Sequence, residues 1–166
     1  MRLSNRSRIP IYNFVLILIN VLIVIGLAGF ILEKTRLAMF GNESVLFVLL
    51  PVVLLILFLV RGRQIFEYDS DGEAVNFINR NIIPFISKEI SDEFPKYKIL
   101  SYEVVNAIIF KRLYIKIKSK KEQHHAIILK YDISYLTDKE IKDLKFSLKK
   151  IIKANREANR EGKTQG

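Results

Sequence analysis

The chain has 166 residues, no cysteine and a formal net charge of +10, and once its apolar front is set aside it holds one soluble domain of ordinary size. The lack of cysteine excludes a disulfide framework, a thiolate metal site, a cysteine nucleophile and a lipid anchor on sulfur. Most of the basic excess belongs to the last third: residues 61–107 hold six Lys and Arg against eight Asp and Glu, and 108–166 hold sixteen against seven. Such a field favours anionic partners.

Residues 1–10 form a basic N-terminus with Arg2, Arg6 and Arg8. The following stretch, 11–32, runs without a charge and matches the roughly 20 residues that cross a hydrocarbon core of about 30 Å. A cleavable signal peptide is the rival reading. Its apolar core is usually ~7–15 residues, and no small-residue cleavage site precedes Glu33 and Lys34. The second stretch, 45–60, is shorter and contains Pro51, but it is almost wholly aliphatic, and Ser44 and a snorkelling Arg61 extend it. The sequence predicts a membrane α-helical hairpin over 11–60.

The positions of the cations set its orientation, because Lys and Arg stay on the cytoplasmic side. Arg2, Arg6 and Arg8 precede the first span, Arg61 and Arg63 follow the second, and the connecting loop balances Lys34 and Arg36 against Glu33 and Glu43. A multi-pass protein of the inner cell membrane with both termini cytoplasmic is expected. The short loop reads as a turn, and its Asn42-Glu43-Ser44 sequon as chance. Asn20, Gly26 and Gly29 mark a helix-packing face, within the hairpin or toward a second copy. No charge lies inside either span, which argues against an ion or proton path.

From Gln64 the pattern changes to short runs rich in β-branched and aromatic residues. Residues 64–68 and 73–79 flank Asp69-Ser70-Asp71-Gly72, a turn in which Gly72 supplies positive φ. The later ligands of a calcium loop are missing. Residues 81–95 read as an irregular crossing with a turn of helix. Strands are predicted over 96–106, 108–119 and 124–134. In the second of these, Leu113, Ile115 and Ile117 alternate with Arg112, Tyr114, Lys116 and Lys118.

Thr137-Asp138-Lys139-Glu140 is a capping box. It opens a helix over 138–154 whose buried side is Ile141, Leu144, Leu148, Ile151 and Ile152. Residues 155–166 read as a disordered tail. Residues 61–154 are therefore an α+β domain: a small curved antiparallel sheet or partial β-barrel closed by a C-terminal α-helix.

Four features carry a family resemblance: the 64–79 hairpin, the run Tyr102-Glu103-Val104-Val105-Asn106-Ala107-Ile108-Ile109, the 113–118 strand and the closing helix. With the hairpin in front of them, they resemble the bacterial pleckstrin-homology-like (PH-like) small membrane proteins. The resemblance implies a seven-stranded barrel, of which five strands are legible here, and it implies architecture rather than an assigned activity.

The stripe Arg112, Lys116, Lys118, Lys120, Lys121, together with Arg61 and Arg63, supplies the candidate contacts for anionic lipid headgroups or a protein partner. Near a membrane each such cation contributes about 1 kcal/mol. Against this stands an ordinary solvated sheet face. His124 and His125 are adjacent, so on a strand they point to opposite faces and do not share a metal. No phosphate loop, nucleophile elbow or dinucleotide fingerprint is present. No enzyme activity, cofactor, metal or nucleic-acid partner is expected. The expected function is an interaction module at the cytoplasmic membrane face. A ligand-gated membrane effector sensing an anionic small molecule such as a nucleotide is the alternative.

Overall fold

The computed structural model describes residues 1–37, 41–119 and 126–164. The chain forms two compact units: 8–61, and a second built from 1–7 together with 62–166.

The first unit is a pair of packed helices, α1 (Ile9–Leu32) and α2 (Leu46–Val60), joined through a π-helical turn at Glu33–Leu37 and a 3₁₀ turn at Gly41–Val45. With these turns the helical runs Arg6–Thr35 and Gly41–Val60 are long and apolar enough to cross a membrane. They are apolar on every side, with Phe14, Val24 and Leu50 turned outward. Such a helix belongs in a protein core or in lipid.

The contact between the helices has a local cause. Pro51 has no N–H to return to the Phe47 carbonyl four residues back, and that oxygen lies against Gly26, where a Cβ would overlap it. Asn20 satisfies its amide on its own helix, donating to the Leu16 carbonyl at 2.8 Å. At the connection, buried Glu33 accepts from the Gly41 N–H at 3.1 Å, and Ser44 donates to the Gly41 carbonyl at 2.7 Å.

Among the described residues the second unit has seven strands. A four-stranded antiparallel sheet runs β1 (Arg2–Ser4), β2 (Ile65–Asp69), β3 (Ala74–Arg80), β4 (Ile90–Pro95), and a three-stranded one runs β5 (Ile99–Asn106), β6 (Lys111–Lys118), β7 (Ala126–Asp132). Among the described residues, no strand pairing closes the two sheets on each other. Helix α3 (Asp138–Thr164) follows. Phe66, Tyr68, Phe77 and Phe94 of the first sheet meet Leu113, Ile115 and Tyr131 of the second, and Leu144, Leu148, Ile151 and Ile152 of α3 complete the core. Phe77 is its centre, stacked on Tyr131 at 4.7 Å between ring centroids and on Phe94 at 5.8 Å.

The local expectations hold where local chemistry decides. Gly72 turns the β2–β3 hairpin at φ +69°, and Asp71 N–H donates to Asp69 Oδ1 at 2.9 Å. Thr137 and Glu140 cap α3 reciprocally, at 2.7 and 3.3 Å. Leu113, Ile115 and Ile117 are buried, and Lys116 and Lys118 are exposed.

Three expectations are corrected. The basic N-terminus, for which no strand is predicted, contributes one: residues 2–4 pair with 67–69 and Leu3 is buried. Residues 90–95 form a strand, paired with 74–79, rather than an irregular crossing, which brings the count from five strands to seven. The last helix runs to Thr164 instead of ending at 154. Asn155 fixes it to the domain by donating to the Lys96 and Ile99 carbonyls at 2.8 and 3.0 Å, and Lys153 pairs with Glu157 one turn on at 3.8 Å.

Candidate functional site

Of the seven sequence-nominated cations, the four described in the second unit fall into two pairs with different surroundings. Lys116 and Lys118 project from the outer face of β6, exposed, and no carboxylate among the described residues lies within ion-pair distance. Lys120 and Lys121, like His124 and His125, lie outside the described residues. Arg61 ends α2 in the first unit, its N–H bonded to the Leu57 carbonyl at 3.2 Å. Arg63 and Arg112 are half-buried and held in ion pairs.

Their common partner is Asp132, whose side chain is only 9% exposed. Arg112 Nε donates to Asp132 Oδ1 at 3.2 Å. The Arg63 backbone N–H and Nη1 donate to Oδ2 at 3.3 and 3.5 Å. Arg112 also lies 4.0 Å over the Phe110 ring. A buried carboxylate is tolerated only when paired and hydrogen-bonded, so these two guanidinium groups are part of the frame. The close packing fixes Gly62 as well. It sits at φ +100°, and a Cβ there would stand 2.7 Å from Asp132 Cγ.

The same node ties the sheets. Buried Asn79 on β3 donates to the carbonyls of Ile65 and Asp132, each at 3.0 Å, and accepts from the Asp132 N–H at 2.8 Å. Asn5 donates to the Gln64 carbonyl at 2.7 Å and accepts from the Phe66 N–H at 2.8 Å. The two chain segments that run on into the helices, at residues 5 and 62–64, are thus bonded into the domain on both sides.

One basic opening was not visible in the sequence. A cleft of about 270 Å³ between β5 and α3 is lined by Ser101, Tyr102, Lys149, Ile152, Lys153 and Arg156. The lysine spacing on α3 reads as a solvated helix face, and only the packing of β5 beside it makes a cleft. Burial raises the Tyr102 phenol above its ordinary 10.0, so it stays a neutral donor there. β5 is also the outer strand of its sheet. A second cleft of about 280 Å³ lies on the outer face of β1–β3, with Arg2, Glu67, Asp69 and Asn76 among its lining residues. Asp69 is held below its ordinary 3.8 by the Asp71 N–H and then by Arg2, whose Nε donates at 2.6 Å.

Arrangements for catalysis or metal binding need convergent titratable groups. Among the described residues, no three His, Asp or Glu side chains gather as a metal site would require. The chain is thus a helical pair joined to an α+β domain with cationic outer surfaces. Comparison with protein-family models, curated proteins and solved structures found no match to it.

Proposed function

We propose that the chain is an integral membrane protein of the inner cell membrane. In this reading α1 and α2 form a transmembrane hairpin, and the seven-strand domain is a non-catalytic interaction module on the cytoplasmic side. The observation that carries this is the pairing of β1 with β2. Residues before α1 and after α2 share one sheet, so the chain returns to the side it left, as two crossings require. The cations at Arg2, Arg6, Arg8, Arg61 and Arg63 make that side the inner one. A four-plus-three strand arrangement with a closing helix supports the PH-like architecture.

The partner that fits best is an extended acidic protein segment. Among the described residues β5 pairs with another strand on one edge only, which leaves main-chain groups beyond Ile99 for hydrogen bonds, and Lys149, Lys153 and Arg156 stand beside it. Tethering at the membrane raises the local concentration of the module, so that weak contacts are occupied. The ligand-gated alternative is second, because the space between the sheets is filled by Phe66, Phe77, Phe94 and Tyr131.

A photo-reactive residue at Ser101 in native membranes tests the module. Adducts that disappear in a Lys149→Glu, Lys153→Glu, Arg156→Glu variant are expected. Adducts no more frequent than from a photo-reactive residue at Glu73 contradict the reading.

A further inference from the structure

One end of the seven-strand unit carries large apolar side chains on two loop tips. Between β3 and β4 stand Phe85, 88% exposed, and Ile86; in the β5–β6 turn stand Ile108, fully exposed, and Ile109. Turns ordinarily take Gly, Asn, Asp and Ser, whereas these read Asn-Ile-Ile-Pro-Phe-Ile-Ser and Asn-Ala-Ile-Ile-Phe. Burying a side chain such as Phe or Ile is worth about 1.5–3 kcal/mol, which these positions forgo in water.

Both tips belong to the end at which the chain leaves for the helices. Ile65, three residues past Gly62, faces Arg80, and Asn79 faces Ile90, so the β3–β4 loop emerges level with Gly62. Arg63 Nη2 reaches the Lys88 carbonyl at 3.4 Å, and the Ile82 N–H donates to Gln64 Oε1 at 3.2 Å, which fixes the loop to that root. The other turn is closed by Ala107 N–H to the Phe110 carbonyl at 2.8 Å. Phe110 lies under Arg112, which shares Asp132 with Arg63. Strand register and ion pairs thus bring two distant loops beside Gly62.

We propose that these two tips, Phe85-Ile86 and Ile108-Ile109, insert into the boundary between headgroups and acyl chains of the bilayer and seat this end of the domain on it. The inference rests on the reading that α1 and α2 span the membrane. A lipid surface is the occupant because Ser7 and Gly62 lead, at this same end, into helices that are apolar on every side. Exposed Lys88, beside one tip, supplies a flanking cation of an interfacial segment. Glu89 is the acidic neighbour, and it is paired with Arg80 at 3.8 Å. Seated this way, Lys118 is about 20 Å along β6 from Arg112, at ~3.3 Å per residue, and faces water.

The absence of cysteine permits single labels on the full chain. Phe85→Cys, Ile108→Cys, Glu73→Cys and Val21→Cys are each coupled to an environment-sensitive fluorophore in nanodiscs containing lipids with doxyl groups at shallow or deep positions. Blue-shifted emission at 85 and 108 quenched by shallow doxyl groups, a wet unquenched label at 73 and deep quenching at 21 are expected. Deep quenching at 21 with wet labels at 85 and 108 overturns the seating and leaves the membrane reading intact. Blue-shifted labels at 85 and 108 that lipid does not quench overturn it in favour of a second copy of the chain. An unquenched label at 21 overturns both.

Discussion

Asn79 and Asp132 join the two sheets through a reciprocal pair: the Asn79 amide donates to the Asp132 carbonyl at 3.0 Å, and the Asp132 N–H donates back to Asn79 Oδ1 at 2.8 Å. Asn79 is fully buried, and a backbone group left unbonded in such a place costs about 1–3 kcal/mol. Asn79→Ala strands the Asp132 N–H and carbonyl together, and takes one donor from the Ile65 carbonyl. A loss of about 2–4 kcal/mol is expected by the same accounting, read from denaturant unfolding of the detergent-solubilised chain. A change under about 0.5 kcal/mol, the range of ordinary surface substitutions, would show that the sheets are held in another way.

The helix pair makes a contrast between two glycines. A Cβ at Gly26 would overlap the Phe47 carbonyl, whereas at Gly29 its nearest neighbour is the Phe47 ring at 3.7 Å, ordinary contact. Gly26→Ala therefore drives α1 and α2 apart, and Gly29→Ala is tolerated. Cross-linking yield between cysteines placed at Leu22 and Leu50, which line the same groove between the helices, should fall in the first variant and hold in the second. Equal yields in both would contradict the close approach.

Stability should decline at both ends of the pH scale. Asp69 and Asp138 lie below their ordinary 3.8, Asp69 through the Asp71 N–H and Arg2, and Asp138 through its bond to Lys111. Their contribution is complete above that value and is lost as pH falls through the folded values beneath it. Tyr131 shifts the other way. Burial, and then its bond to Asp92 at 2.7 Å, raise its phenol far above 10.0. The unfolded chain releases that proton near 10 while the fold retains it, so stability is present below 10 and declines above it. Burial raises Tyr68 as well. Phenolate absorbance should show Tyr68 and Tyr131 ionising only with unfolding, as assigned by Tyr→Phe variants. Reversible titration of both near 10 in the folded state would contradict their burial.

The legible parts of the fold were those set by neighbours in sequence. The Asp71-Gly72 turn, the alternation from Leu113 to Lys118 and the Thr137–Glu140 box each need only a few adjacent residues. β1 was hidden because Leu3 is buried by Tyr68 and its neighbours, across the whole length of the helix pair. β4 was hidden because Ser91, Asp92 and Glu93 are poor strand formers, held extended by pairing with β3. The outward placement of Arg112 was readable from alternation. Its engagement by Asp132 was not, because that carboxylate arrives from the neighbouring strand twenty residues on. The β5–α3 cleft was beyond reach for the same reason, since Tyr102 and Lys149 meet only through packing.

The central claim is a two-crossing hairpin with both flanks inside. Single cysteines at Glu43, in the turn between the helices, and at Lys118, on β6, test it with a membrane-impermeant maleimide on intact cells. The account predicts labelling at 43 in intact cells and at 118 only after lysis. Labelling of 118 from outside, or release of the chain from membranes by alkaline carbonate without detergent, would contradict it.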